Sequence, residues 1–429
     1  MSTEGRGFYK GQEITFSLPA GWNLLAMAEP IQVPALKDLG SAVRRGLAQP
    51  IGAPSLEELV AKMPNKKVAI ISEDQTRPSP TGKVILPLID ELNGLGISDK
   101  NIDIIIGRGT HRAMTEEEMK SKLGKYLFER IQVSVHDPDA NDLVFKGTTS
   151  RGTPCWTNRL VAEAGLKIGV GTSNPHYFAG YGGGPKIVLP GVSGRKTIQK
   201  NHVLISDPHA IAGIREGNPV WEDMLEAARI VGLDLKVDIV LNQAGEIYKI
   251  FIGDVEQAQD EAIKSLLDIY GVPVPRMADV TITCAYPLET DLIQSGKAIL
   301  LADSVTRPGG TIILLSACPD GAGPLMYETL KERPESEEII RWIGEGKAST
   351  TGGPMAAHLR ALLKAKSLTV ITEGLTKKQL EDMEMSYAPS IEEAIAQARE
   401  KYPQANVIIL PVGGSTFPYL QEEVKAKAA

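Results

Sequence analysis

Short runs of β-branched and aliphatic residues alternate with helix-like stretches along nearly the whole chain. Clear examples of these runs are residues 67–71, 103–106 and 166–170. Strands that alternate with helices are typical of α/β proteins, in which crossover helices join parallel strands. The pattern therefore predicts an α/β fold with largely parallel sheets.

The length of 429 residues allows two or three domains. A helical pattern over residues 255–270 is followed by the segment 272–276, whose prolines favour a stiff linker. We therefore predict an N-terminal α/β domain of residues 1–271 and a smaller C-terminal α/β domain of residues 272–429. Near the start of the chain, residues 14–25 are predicted to form a β-hairpin.

Composition argues against several classes of function. A net charge of −7 argues against a nucleic-acid partner, because such proteins usually carry a basic stripe. Neither a run of about 18 apolar residues nor an apolar signal segment occurs, so we expect no membrane association. Cys155, Cys284 and Cys318 are widely spaced and fit buried, reduced thiols. We therefore expect a cytoplasmic protein.

Three predicted strands run into side chains that carry charge or transfer protons. One strand leads to Asp74 and Arg77, the next to His111, and a third to His176. Because ligands bind beyond the carboxyl ends of strands in open α/β sheets, we expect these side chains to gather at one edge. For Asp74 and Arg77, a clamp for phosphate or carboxylate and a structural ion pair are both open interpretations.

One stretch combines histidines with a lysine that follows three glycines. Its candidate residues are His176, Gly182, Gly183, Gly184, Lys186 and His202. Consecutive glycine amides can bind an anion, but a flexible surface loop explains them equally well, and the P-loop spacing is absent. Lysine and histidine supply charge, nucleophilicity and metal ligation, although no standard zinc motif is present. For His136 and His209 we expect structural roles.

In the C-terminal part of the chain, Gln294 and Lys297 stand three residues apart. This spacing puts both side chains on one face of a helical turn. Taken alone, the pair is more simply explained as an exposed polar face.

Together, these segments resemble the nickel-dependent lactate racemase family. The matching pieces are Asp74-Gln75-Thr76-Arg77-Pro78, Gly109-Thr110-His111, Asn174-Pro175-His176, residues 182–186, Asn201-His202, Gln294 and Lys297. Their order and spacing agree over most of the chain, which makes the resemblance more specific than any single motif. It implies two α/β domains with the active site in the interdomain cleft, and an isomerase that racemises or epimerises a 2-hydroxy acid.

The resemblance also implies a cofactor, the nickel complex of pyridinium-3,5-bisthiocarboxylic acid mononucleotide (the nickel-pincer nucleotide). Lys186 resembles the lysine that holds this cofactor through a thioamide, and His202 the protein ligand of the nickel. Asp74 and the glycine amides would hold the mononucleotide. The enzymes that assemble the cofactor would be transient partners.

Catalytic roles follow from the same resemblance. His111 and His176 resemble the two acid/base histidines, while Arg77, Gln294 and Lys297 would bind the substrate's carboxylate and neighbouring oxygens. The reaction would be a reversible hydride transfer from the substrate to the cofactor, with a base taking the hydroxyl proton. A sugar-acid epimerase with this cofactor and a non-catalytic protein that binds a nucleotide or nickel are the alternatives.

Two features depart from the pattern of the lactate-specific enzymes. Ile293 stands where those enzymes have an aromatic residue before the glutamine, and residues 351–358 contain no tryptophan. Both departures concern the side chain of the substrate rather than the cofactor. We therefore expect a different or bulkier 2-hydroxy acid than lactate.

Overall fold

The computed structural model describes residues 3–77 and 79–421, so Pro78 of the first matching segment lies outside the described residues. The strands are β1 Glu4–Tyr9, β2 Gln12–Ser17, β3 Trp22–Met27, β4 Val68–Glu73, β5 Ile102–Gly107, β6 Gln132–Val135, β7 Val144–Thr148, β8 Pro154–Thr157, β9 Leu166–Thr172, β10 Pro175–His176, β11 Gly180–Tyr181, β12 Leu235–Leu241, β13 Ile247–Gly253, β14 Gly271–Val274, β15 Ala278–Cys284, β16 Thr306–Leu315, β17 Ser367–Ile371, β18 Ser386–Tyr387, β19 Ala405–Leu410 and β20 Phe417–Leu420. The α-helices are α1 Leu39–Ala48, α2 Leu56–Lys62, α3 Thr81–Gly94, α4 Glu116–Leu123, α5 Lys125–Arg130, α6 Arg159–Glu163, α7 Arg195–His202, α8 Pro219–Val231, α9 Gln257–Tyr270, α10 Leu292–Asp303, α11 Met326–Lys331, α12 Ser336–Gly344, α13 Gly353–Ala365, α14 Lys377–Asp382 and α15 Ile391–Lys401. Short 3-10 helices cover Asp99–Asn101, Gly184–Ile187 and Val203–Ser206.

The chain divides into two compact units. The central unit is Gln32–Leu266, and the terminal unit combines the residues up to Ile31 with those from Leu267 onward. The predicted boundary near residue 272 is close to Leu267, but the assignment of the first 31 residues to the N-terminal domain is wrong. These residues belong to the terminal unit because β3 pairs in parallel with β19.

The central unit contains a sheet with the strand order β13-β12-β9-β4-β5-β6. Its strands run parallel except for β13, which is antiparallel to β12. Alternate residues of β4 face opposite sides of the sheet: Ile70 packs in a core with α3, and Ile71 packs in a second core with α6 and α8. Helices therefore cover both faces, as is usual for a parallel sheet with continuous apolar strands. Each buried isoleucine contributes about 1.5–3 kcal/mol to stability.

The order of these strands creates a binding position at one edge. From β4 the chain proceeds to β5 and β6 on one side, and then to β9 and β12 on the other. The order therefore reverses between β4 and β9, and such switch points are where open α/β sheets bind ligands. Because β9, β4 and β5 are parallel neighbours, their carboxyl ends share this edge, as predicted.

The terminal unit contains a second parallel sheet, with the order β18-β17-β16-β15-β19-β3. Two local predictions are wrong here. The hairpin predicted over residues 14–25 is instead formed by β1 and β2, and β3 joins the main sheet. The segment predicted as a stiff linker contains β14, which pairs in parallel with β20.

All three cysteines are buried and free, as expected. Burial raises the pKa of the Cys284 thiol to about 12. Within residues 3–77 and 79–421, no helix is both long and apolar enough to cross a membrane.

Candidate active site

A buried Asp74 and a partly exposed His111 form a pair at the carboxyl ends of β4 and β5. The Asp74 carboxylate is 3% exposed, and its Oδ2 lies 2.6 Å from His111 Nδ1. Its Oδ1 accepts hydrogen bonds from the Thr76 amide (3.1 Å) and hydroxyl (2.5 Å). Burial works against ionisation, but the hydrogen bond and charge of His111 hold the pKa of Asp74 below its usual range. Since an ionised carboxylate only accepts, a neutral His111 carries its proton on Nδ1 and has its lone pair on Nε2.

A tight turn after β5 positions His111. The amide of His111 donates to Arg108 O at 3.0 Å, and Gly109 has a left-handed φ of +53° that favours glycine. The Arg108 guanidinium donates to the carbonyl oxygens of His111 and, at 2.7 Å, of His136. Arg108 therefore fixes the backbone that carries His111, a role that sequence reasoning missed.

His176 at the end of β10 contacts Lys186 of the 3-10 helix Gly184–Ile187. The His176 ring is 7% exposed, and its Nε2 lies 3.3 Å from Lys186 Nζ. Its Nδ1 accepts a hydrogen bond from the Ala179 amide at 3.3 Å. The imidazole and the amine that sequence reasoning selected are thus brought into contact.

Phe178 lies among three of the candidate side chains. Its ring centroid is 4.5 Å from that of His176 and 5.1 Å from that of His202, and Lys186 Nζ lies 5.1 Å from it. The rings of Phe178, His176 and His202 are all buried, and Lys186 is partly exposed. No sequence motif marked Phe178, because an aromatic residue between a histidine and a glycine run is ordinary in itself.

His202 ends α7 and is 5% exposed. Its Nδ1 lies 3.2 Å from Asn201 Oδ1, while Nε2 makes no hydrogen bond within the described part of the chain. Burial, followed by the charges of Lys186 and His111, lowers the pKa of His202 to about 3. The imidazole is therefore neutral at neutral pH, which is the form that binds metals.

The glycine run is packed against side chains of the same unit. The Gly182 amide donates to Asn174 O at 2.6 Å, and the Gly184 amide donates to Asp238 Oδ1 at 2.9 Å. A Cβ on Gly182 would lie 2.2 Å from Asn174 Oδ1, and Gly184 has a φ of +49°. Of the three amides predicted to form an anion nest, only that of Gly183 makes no such bond to another described residue. The glycines at 182 and 184 are required by close packing.

A buried ion pair lies beneath this run. Lys236 Nζ is 2.9 Å from Asp238 Oδ1, and both side chains are fully buried. Ser173 donates to the same oxygen at 2.9 Å. Removing one partner of such a pair typically costs 3–5 kcal/mol. Two charged residues two apart in an apolar strand, Lys236 and Asp238 in β12, were the signal that sequence reasoning overlooked.

Two further buried charges fix the turn after β4. Glu73 accepts from the Thr172 amide (2.7 Å) and hydroxyl (2.8 Å), which joins the ends of β4 and β9. The Lys122 ammonium donates to the carbonyl oxygens of Arg77 (2.9 Å) and Ser79 (3.2 Å). Hydrogen bonds of Glu73 and Lys122 therefore fix the turn that contains Arg77.

The predicted substrate-binding residues lie in different units. Arg77 belongs to the central unit, where its guanidinium donates to Thr76 O at 3.2 Å. Gln294 and Lys297 lie on α10 of the terminal unit, and Lys297 Nζ donates to Gln294 Oε1 at 2.7 Å. Their predicted common helical face is confirmed.

The histidines expected to be structural have that character. His136 is fully buried and donates from Nε2 to Ser193 O at 3.0 Å, while His209 is exposed and pairs with Asp207. Among the described residues, no group of three or more His, Cys, Asp or Glu side chains forms a possible metal site.

Two family models match the chain: the lactate racemase N-terminal domain over residues 9–213 and the lactate racemase C-terminal domain over residues 274–417. The chain belongs to the lactate racemase family. A lactate racemase from Thermoanaerobacterium thermosaccharolyticum is 32% identical over 362 residues, which cover 82% of this chain and 84% of the relative. A lactate racemase from Lactiplantibacillus plantarum is 31% identical over 380 residues, covering 86% and 89% respectively.

The structure agrees with this assignment. The lactate racemase apoprotein from Thermoanaerobacterium thermosaccharolyticum superposes with a TM-score of 0.87 at 28% identity, covering 97% of this chain and 100% of that one. The family resemblance and the predicted pair of largely parallel α/β units are thus confirmed. As a lactate racemase family member, the chain is a racemase and therefore an isomerase.

Proposed function

We propose that the chain racemises or epimerises a 2-hydroxy acid with a nickel-pincer nucleotide attached to Lys186. The contact between Lys186 Nζ and His176 Nε2, beside the neutral imidazole of His202, carries the proposal. It brings an amine, an acid/base group and a potential metal ligand around one buried ring, that of Phe178. The lactate racemases among its relatives support the same class of reaction.

The residues present fit the implied cofactor. Lys186 offers the amine for attachment, and His202 offers an Nε2 that no group in the described residues engages. Imidazole nitrogen is a suitable ligand for nickel. When bound, the cofactor would supply a pyridinium carbon that accepts hydride, which no side chain can do.

His111 would act as the base toward the substrate hydroxyl. Its Nδ1–H donates to Asp74, so the lone pair on Nε2 is available to accept a proton from the substrate. When Nε2 takes a proton, the Asp74 carboxylate stabilises the resulting imidazolium, as in other Asp–His pairs. This arrangement gives Asp74 a role in catalysis beside its predicted contact with the mononucleotide.

His176 presents the opposite hydrogen-bonding character. Because its Nδ1 accepts from the Ala179 amide, the neutral ring carries its proton on Nε2, and it can donate that proton to Lys186 Nζ only when Lys186 is the unprotonated amine. A racemase takes a proton from the substrate oxygen on one side and returns one on the other. We therefore propose that His111 and His176 serve opposite sides and exchange roles in the reverse direction.

The remaining predicted contacts complete the proposal. Arg77, Gln294 and Lys297 would bind the carboxylate and neighbouring oxygens of the substrate, since guanidinium and ammonium groups pair with carboxylates. We further propose that the protein acts in the cytoplasm, consistent with three buried free thiols, and meets the cofactor-assembly enzymes transiently.

A panel of chiral 2-hydroxy acids tests this function. Protein loaded with the cofactor is expected to interconvert the enantiomers or epimers of at least one acid, and an acid bulkier than lactate should give the highest kcat/KM. Chiral chromatography measures both directions. Lactate as the best substrate would contradict the assignment based on Ile293, while turnover of sugar acids alone would favour the sugar-acid epimerase. A loaded protein that turns over none of them would favour a non-catalytic binder.

A further inference from the structure

A chain of buried hydrogen bonds leads away from the proposed metal ligand. His202 Nδ1 lies 3.2 Å from Asn201 Oδ1, and Asn201 Nδ2 donates to Asp223 Oδ2 at 2.9 Å and to Val220 O at 3.1 Å. Asn201 and Asp223 are fully buried. Asp223 lies on α8, so these hydrogen bonds connect the end of α7 with a neighbouring helix.

The donors and acceptors in this chain have a single consistent assignment. The Asp223 carboxylate accepts from the hydroxyls of Thr149 (2.5 Å) and Thr153 (2.8 Å) as well as from Asn201. An ionised carboxylate cannot donate, so Asn201 must present its NH2 group to Asp223 and its oxygen to His202. That oxygen can only accept, so His202 must carry its proton on Nδ1.

We infer that Asp223, acting through Asn201, is the positioning residue that directs the Nε2 lone pair of His202 toward nickel. The metal in this statement rests on the proposed function, whereas the tautomer rests on the hydrogen bonds alone. Partners behind a ligating histidine commonly fix its tautomer and orientation.

The hydrogen-bond partners of Asp223 indicate that this carboxylate does more than fill space. Within the described residues, the partners of Asp223 are two hydroxyls and an amide, and no lysine or arginine forms an ion pair with it. Burying a carboxylate without a cation is costly, and an apolar side chain would fill the same space without that cost. A carboxylate at 223, unlike a neutral amide, can only accept, so together with Val220 O it fixes the orientation of Asn201.

Asp223→Asn tests this inference because it preserves shape. An asparagine at 223 can both donate and accept, so it no longer requires the NH2 group of Asn201, and only Val220 O still holds that orientation. Asn201→Ala removes the link by a second route. Thr149→Val is the matched control, since it deletes a hydroxyl bond to Asp223 Oδ1 but leaves the bond to Asn201 intact.

The first measurement is the nitrogen-15 chemical shift of His202 in the cofactor-free protein. With six histidines in the chain, the signal can be assigned through His202→Gln. Wild type and Thr149→Val are expected to show one tautomer with the proton on Nδ1. Asn201→Ala is expected to show a substantial population with the proton on Nε2, and Asp223→Asn a smaller but measurable one, because Val220 O still accepts from Asn201. A folded Asp223→Asn protein with the wild-type tautomer would overturn the inference.

The second measurement is the rate at which a chelator removes nickel from protein isolated with its cofactor. Removal from Asp223→Asn is expected to be faster than from wild type and Thr149→Val, by up to about 10–100-fold, because loss of such a partner typically weakens metal affinity by that factor. Equal rates in all three proteins would overturn the inference. Wild type without nickel would instead overturn the proposed function and the metal part of the inference. The tautomer measurement would still test the hydrogen bonds from His202 through Asn201 to Asp223.

Discussion

Replacing His111 or His176 with alanine is expected to lower kcat for interconversion by a factor of about 10²–10⁴, the usual contribution of a general acid or base. Each turnover removes a proton from the substrate oxygen and returns one, so either change should slow both directions. Both rings are held by hydrogen bonds, one donated to Asp74 by His111 and one accepted from the Ala179 amide by His176, and neither is the proposed attachment point. Both variants should therefore retain the cofactor.

Chiral chromatography of each enantiomer, paired with intact mass spectrometry, checks this prediction. The exposed His209, which contacts Asp207, provides the matched control, and His209→Ala should have wild-type activity. Near-normal activity of His111→Ala or His176→Ala would remove that residue from the mechanism. Loss of the cofactor from either variant would instead point to a role in holding it.

Changing Asp74 to asparagine is expected to lower kcat by up to about 10⁴-fold, as in Asp–His pairs where the amide stabilises the wrong tautomer. An asparagine can donate its NH2 group to His111 Nδ1, and the proton then moves to Nε2, where the base is needed. The effect should fall on kcat more than on cofactor content. Steady-state kinetics together with intact mass spectrometry separate the two.

Asp103→Asn is a suitable control for this variant. Asp103 lies within β5, away from the carboxyl end of the strand, so the same change of carboxylate to amide should leave kcat unaltered. If Asp74→Asn lost the cofactor and kept its activity per loaded molecule, Asp74 would serve to hold the mononucleotide. The role assigned here to the Asp74–His111 pair would then be wrong.

The sheet edge that carries the site could be predicted because it depends on local patterns. Apolar strands that end at Asp74, His111 and His176 are visible in the sequence, and parallel pairing brings such ends together. The position of β3 in the sheet of the terminal unit could not be predicted from local patterns. Its partner, β19, comes from the opposite end of the chain, and no local pattern specifies a pairing over such a distance.

The side-chain partners were beyond sequence reasoning for a related reason. The sequence indicates which histidines are acid/base candidates. The hydrogen bond from His111 to Asp74, and those that connect His202 through Asn201 to Asp223, depend on tertiary packing. The glycines are a different case. Glycine runs suggest anion binding, and in the structure the Gly184 amide donates to a buried carboxylate of the same unit, a partner that the sequence does not indicate.

Attachment of the cofactor to Lys186 is the central claim, and intact mass spectrometry with a nickel assay tests it most directly. Protein purified from its native host should carry added mass on the peptide that contains Lys186, together with stoichiometric nickel. Lys186→Arg should lack the adduct, because a guanidinium is a poor nucleophile. Unmodified Lys186 and no nickel in the native-host protein would contradict the claim.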